Sequence, residues 1–254
     1  MNYRIIASGS KGNALAICEG SIKILIDCGV SYKSVKGLRP DFIFLTHEHS
    51  DHLRVRTIKN VMKNHPLCKF VIAPFLYQKL RDADVPARRI IVCDAGETVV
   101  LKKGNAFVSA STFSLVHDVP NVGWRLSLVS NKASGKTSKS INTFGDSSVN
   151  ATETTIMYAT DTCKIDHIEL KNLDYYFIEA NYVESELEER MQAKLEAGEY
   201  AYEMRVKGSH LSQEQTDKWL SDNAGESSKF IYMHQHIENK NGFAGDKFKE
   251  DMGK

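Results

Sequence analysis

No run in the 254-residue chain approaches the roughly 18 to 20 consecutive apolar residues that a membrane span needs, so no span is expected. The opening, MNYRIIASGS, gives way to a polar loop too soon for a secretory leader, which makes a cytoplasmic location the expectation. Five cysteines (Cys18, Cys28, Cys68, Cys93, Cys163) are scattered, odd in number and form no C-x-x-C pair. That argues against a disulfide framework and against a cysteine zinc site, and the five read as buried thiols. There is no internal period and hence no repeat array. Hydrophobic residues at 42% and charged residues at 26% leave no sign of disorder, collagen or coiled coil. A chain of this length can bury one full-sized core, and a single domain over 1–254 is expected.

The net charge of +1 conceals an asymmetry. Residues 54–89 carry nine Lys or Arg against two Asp, while residues 161–199 carry eleven acids against four bases. Such runs are usually solvated helix faces. The basic run nevertheless directly follows a histidine cluster, where it would place positive potential beside a site that handles phosphates.

The first quarter alternates short β-branched and aromatic runs (YRIIA, ALAIC, IKILID, FIFLT) with Gly, Ser and Lys segments, which reads as strands. SGSKGN, at 8–13, is a tight turn between two of them. Leu53, Val55, Ile58, Val61 and Met62 fall near helical spacing, so a helix is expected between Asp51 and Asn64. KFVIA is then a strand, and PFLYQKLRD a short helix with proline at its start. Strands follow at RRIIVC, ETVVL, AFVSASTFSLVH and GWRLSLVS. A polar stretch at 131–154 is expected as a surface insertion or long hairpin. Strands resume at TIMYATD and DYYFIEAN; VESELEERMQAKLEAG is a helix, followed by a turn, a helix in HLSQEQTDKWLSDN capped by Ser212, and a last strand KFIYMH. The fold class is a layered α/β arrangement.

What the chain has in abundance lies at FLTHEHSDH. His47, His49, Asp51 and His52, with Glu48, place three imidazoles and two carboxylates in six consecutive positions. His117, Asp161 and His234 then stand singly, each just past an apolar strand, with His210 in the loop GSHLS. Strand ends of layered α/β proteins converge on one edge, so these residues can meet. Histidine nitrogen and carboxylate oxygen are the natural ligands of zinc and similar divalent ions where cysteine is absent. One metal needs three or four protein ligands; two neighbouring metals would use the whole set and suit a hydrolase. Ordinary loop histidines would account for one such residue, but not for the set. His236, two residues past His234, competes with it as the last ligand, whereas His65 and His167 have no claim.

THEHSDH resembles the signature of the metallo-β-lactamase superfamily, and the later ligands follow in that family's order. The resemblance implies a four-layer αββα sandwich with a metal pair at the edge between its sheets. His47, His49 and His117 would hold one divalent ion, Asp51, His52 and His234 the other, and Asp161 would bridge; zinc is the expected metal, with manganese the second candidate. SGSKGNALAI, ILIDCGVSYKSV, LVHDVPNVGW, YATDT and KGSHLSQEQ further resemble the YycJ (WalJ) type of DNA exonuclease over about residues 5 to 240. The chain departs from that pattern at Asn181-Tyr182-Val183, where the family has Asn-His-Asp, at Arg54-Val55, where it has a glycine, and in a longer 131–154 segment.

This resemblance implies a nuclease acting on DNA ends, with a metal-bound hydroxide as nucleophile, oriented by Asp51. His210, not needed in either ligand set, would serve as general acid. Ser10 and Asn13 of the SGSKGN turn, with Asn181, are the expected substrate-binding residues. A phosphodiesterase of the same fold acting on cyclic nucleotides or tRNA 3′ ends is the alternative. A metal-binding protein without turnover is the reading from a different class.

Overall fold

Alternation of side chains along the apolar runs decides the architecture. The computed structural model describes residues 1–131 and 151–235, and among these twelve strands form two six-stranded sheets. The first holds β1 (Asn2–Ala7), β2 (Ala14–Glu19), β3 (Ile22–Ile26), β4 (Phe42–Phe44), β5 (Lys69–Ile72) and β6 (Ile90–Val92), in that spatial order. β1 to β3 pair antiparallel and β3 to β6 parallel. The second holds β7 (Val99–Lys103), β8 (Ala106–Leu115), β9 (Asn121–Asn131), β10 (Ala151–Ala159), β11 (Tyr175–Glu179) and β12 (Lys229–Met233), again in sequential spatial order. Its β10, β11 and β12 are parallel and the rest antiparallel.

Successive residues of a strand point to opposite faces, and buried strands are apolar on both. Ile22, Ile24 and Ile26 of β3, with Phe42 and Phe44 of β4, face a core between the sheets. There they meet Trp124, Leu126, Ile156, Tyr158 and Phe177 of the second sheet. Trp124 is fully buried, edge-on to Phe44 at 5.0 Å, with its indole N–H donating to the Leu45 carbonyl at 3.2 Å.

The residues between them point outward. Leu25, Ile43, Phe70 and Ile72 pack under α1 (Tyr32–Val35), α2 (Val55–Asn64) and α3 (Tyr77–Asp82) through Val35, Ile58, Val61 and Leu80. On the far side lie α4 (Glu184–Glu196), α5 (Glu203–Ser209) and α6 (Gln213–Asn223). Met157, Tyr176 and Ile178 meet Trp219 and Leu220 of α6 there. The result is helices, sheet, sheet, helices, the four layers expected. No helix among the described residues is long and apolar enough to cross a membrane.

Several local expectations shift. α5 occupies a stretch read as a turn, and the four-residue α1 was not expected. Leu53 pairs in a β-bridge with Cys28, so α2 starts only at Val55. In RRIIVC only Ile90–Val92 is strand; Ala87–Arg89 forms a 3-10 turn. Ser212 does cap α6: its hydroxyl accepts from Gln215 N–H at 3.1 Å while Gln215 Oε1 accepts from Ser212 N–H at 2.9 Å, a capping box. Asn131 pairs with Ala151, so 151–154 belong to β10, and the rest of the polar insertion, 132–150, lies outside the described residues. Of the cysteines, Cys28, Cys68 and Cys93 are buried but Cys18 and Cys163 only half-buried.

Part of the basic run is spent on structure. Arg89 donates to the carbonyls of Cys68 (2.8 Å), His65 (2.8 Å) and Met62 (3.2 Å), satisfying the C-terminal end of α2. Lys59 pairs with Asp84 at 2.8 Å and Lys79 with Glu48 at 3.3 Å.

Candidate metal centre

The chemistry-bearing residues sit where strands end. Asp27 follows β3, His47 lies just past β4, His117 just past β8, Asp161 follows β10, Glu179 ends β11 and His234 follows β12. Asp27, Asp161 and His234 leave their strands in the left-handed region, at φ 59°, 58° and 53°. Such a conformation costs a non-glycine residue on the order of 1 kcal/mol and turns the chain abruptly at the sheet edge.

The histidine loop is tied down through its backbone. Asn13 N–H donates to Asp51 O at 2.6 Å, Cys28 N–H to His52 O at 2.7 Å, and Gly29 N–H to Asn13 O at 3.0 Å. The loops pass so closely that a Cβ on Gly29 would lie 1.5 Å from Asp51 O, so only glycine fits there.

Two groups of three donors result. His47, His49 and His117 form one, with His49 Nδ1 at 3.2 Å from His47 Nε2 and 3.3 Å from His117 Nε2. Asp51, His52 and His234 form the other. Asp161 joins His47 and His52 in a third grouping and also lies with Glu179, His210 and His234; within each grouping the donor atoms lie within 4.8 Å of one another. The Asp161 carboxylate is 2.8 Å from His52 Nε2 and 3.5 Å from His234 Nε2, beside the second group, and its grouping with His47 reaches the first.

Protonation and burial fit this set to cations. Burial, followed by the neighbouring His52, drives His47 down to about 2, so its ring is neutral with a lone pair to give. Burial also lowers His117. Burial opposes a charge on His52, but Asp161 and Asp27 outweigh it and hold its pKa well above the usual value. Asp161 is held well below the carboxylate range, its burial overcome by His52 and His234. A positive charge is therefore demanded between His52 and Asp161, which a proton or a metal ion can supply. His234 Nε2, turned towards Asp161, is buried without a hydrogen-bond partner among the described residues, and an orphaned ring nitrogen suits a ligand. The donor set thus fits divalent metal binding.

Further partners orient these rings. Asp27, fully buried, lies 2.7 Å from His52 Nδ1 and accepts from Thr46 N–H and Oγ1 at 3.0 Å. Glu179, also fully buried, lies 2.6 Å from His210 Nδ1 and 3.0 Å from His234 Nδ1 through the same oxygen. Burial works against charge on His210, but the hydrogen bond to Glu179 prevails and raises its pKa. Neither Asp27 nor Glu179 was expected from the sequence. Both are lone acids closing apolar runs, ILID and YYFIE, the same mark that singled out Asp161.

A cleft of about 320 Å³ opens over the donors, lined by Ser10, His49, Asp51, His117, Asp118, Asp161, Tyr202, Arg205, Val206, Ser209, His210 and His234. Asn13 and Asn181, expected to meet substrate, are not on it. Asn13 is fully buried, its amide 2.7 Å from His52 Nε2 and 3.4 Å from Asp51 Oδ2. Asn181 is buried behind His234, its amide donating to the His234 carbonyl at 2.7 Å. Both therefore brace the donors. His236 lies outside the described residues. A larger cavity of about 940 Å³, lined by Lys23, Lys36, Arg39, His65 and Lys103 among others, includes none of these donors, so chemistry and not size marks the site.

Comparison with known proteins bears on this arrangement. The profile of a family described as "Beta-lactamase superfamily domain" matches residues 23–235. The exodeoxyribonuclease WalJ of Streptococcus pneumoniae is 42% identical over 60 residues, 20% of this chain and 22% of that protein, so the match spans under a quarter of the relative. Among solved structures, the metallo-β-lactamase fold protein YhfI of Bacillus subtilis superposes with a TM-score of 0.61 at 13% identity, covering 92% of this chain and 85% of the other. Human tRNase Z, short form, gives 0.57 at 13% identity, covering 92% of each. At such identities these two speak for the fold alone.

Proposed function

Since the chain belongs to the metallo-β-lactamase superfamily, we propose that it is a metal-dependent phosphodiesterase that cuts nucleic acid, with DNA ends as substrate. The observation that carries this reading is the placing of His210, which the buried Glu179 carboxylate orients, on the wall of a cleft lined by His49, Asp51, His117, Asp161 and His234, with His47 and His52 buried beside them. Two divalent cations, zinc or manganese, held by those seven would polarise a phosphoryl oxygen and lower the pKa of a bound water.

The residues of the chain supply the rest. Three carboxylates, Asp51, Asp118 and Asp161, line the cleft against one guanidinium, Arg205, so a phosphate can enter only once cations offset them. Asp51, on the cleft, orients the attacking water. Glu179 takes His210 Nδ1, leaving Nε2 as the nitrogen that delivers a proton to the departing oxygen. Ser10, at the lip, meets a phosphate oxygen. The partial identity to an exodeoxyribonuclease, together with the five motifs of that type, supports DNA over a small diester.

The test is hydrolysis of end-labelled single- and double-stranded DNA, RNA and cyclic nucleotides with zinc or manganese added. Asp161→Ala should abolish activity together with metal content, and His210→Ala should abolish turnover while metal content stays. Cleavage confined to cyclic nucleotides, or activity that survives Asp161→Ala, would overturn the reading.

A further inference from the structure

The cleft has a wall that the metal chemistry leaves unused. Tyr202, at the N-terminal end of α5, and Arg205, in its first turn, both line it, and among the described residues Arg205 is the one Lys or Arg that does. The stretch that carries them exposes large apolar side chains: Tyr202 is 41% exposed, Met204 67% and Tyr200 83%. Isolated exposed apolar residues need no explanation, but three within five positions beside a cleft do.

Tyr202 is also held. Glu203, fully buried, accepts from Lys194 Nζ at 2.7 Å, and that ammonium sits 3.8 Å from the centroid of the Tyr202 ring. A cation against one face of the ring fixes its orientation and leaves the other face for a planar partner. Arg205, 79% exposed, is held only loosely, 3.9 Å from Asp118, so it can turn to a phosphate at little cost.

We propose that Tyr202 and Arg205 form a nucleotide-holding rim, Tyr202 stacking on an unpaired base at a single-stranded nucleic acid end and Arg205 pairing with a phosphate next to the reacting bond. The inference rests on the phosphodiesterase reading and deepens it. Stacking on an aromatic ring tolerates every base, which suits an enzyme that moves along a strand without reading sequence. A cyclic nucleotide has no neighbouring phosphate for Arg205 to hold.

The test compares kcat/KM for an end-labelled single-stranded oligonucleotide with that for bis(4-nitrophenyl) phosphate, on metal-loaded protein. Tyr202→Ala should lower the oligonucleotide-to-small-diester ratio about tenfold, through KM, and Tyr202→Phe should restore it. Arg205→Ala should likewise raise the oligonucleotide KM and flatten its dependence on salt. A ratio unchanged in Tyr202→Ala overturns the rim. Should the wild-type protein hydrolyse neither substrate, the phosphodiesterase reading fails on its own, and anisotropy of a labelled oligonucleotide decides the rim. Weaker binding by Tyr202→Ala than by Tyr202→Phe supports it, and equal binding overturns it.

Discussion

His210 Nδ1 lies 2.6 Å from Glu179 Oε1, and that carboxylate oxygen is buried beneath the cleft that His210 lines. Burial disfavours charge on the imidazole, but the bond to Glu179 raises the pKa of His210 above its ordinary value of 6.5. A general acid works while protonated, so in that role His210 should let activity extend upward in pH until the raised pKa is passed.

Glu179→Gln removes the charge and lowers the pKa of His210. The alkaline limb of the kcat/KM profile should move to lower pH, with turnover at pH 8 down by about tenfold or more. A pH–rate profile with an unmoved alkaline limb would show that His210 does not deliver the proton.

Asp27 orients His52 from the side away from the cleft, 2.7 Å from Nδ1. Asp27→Asn keeps the shape and removes the charge, and should weaken metal affinity by about 10- to 100-fold. Competition against a chromophoric chelator measures this; unaltered affinity would separate Asp27 from the metal centre.

Removing the metals should also unsettle the fold. A cation present at 100 times its Kd adds about 2.7 kcal/mol to stability. For a chain of this size that is a rise in Tm of roughly 5 to 10 °C. Calorimetry of chelator-stripped protein before and after zinc is restored checks the rise, and identical melting curves would argue against the site.

Arg89 serves the fold from the far end of α2. Arg89→Met strands the carbonyls of Met62, His65 and Cys68 and should cost about 3 kcal/mol by urea denaturation. Metal content and turnover of the folded fraction should hold, because none of these groups touches the cleft.

Most of the layering was legible because period-two alternation is strong in runs such as IKILI and TIMYA, where each neighbour faces a different core. That His47, His49, Asp51, His52, His117, Asp161 and His234 come together was legible because the first four crowd into six positions and the last three each stand just past an apolar strand. Asp27 and Glu179 carry the same mark but were passed over, since one acid after a strand also reads as a turn. Asn13 looked like a phosphate-binding turn residue because GSKGN says nothing of depth; only the packing of that loop against Gly29 and Asp51 buries it. α5 was missed because EMRVKGS is seven residues long, includes a glycine and has no apolar stripe. The basic run could not be apportioned from sequence, because partners such as Asp84 and Glu48 are fixed by tertiary contact.

The left-handed turn at Asp161, φ 58°, carries a consequence for engineering. Asp161→Gly and Asp161→Ala both delete the carboxylate, yet only glycine accepts that backbone without strain. The glycine variant should therefore melt higher than the alanine variant by about 1 kcal/mol of stability. That relief is small beside the buried partnerships at these strand ends: Asp27 and Asp161 both pair with His52, so selection for thermostability alone should keep both carboxylates and tolerate the strain.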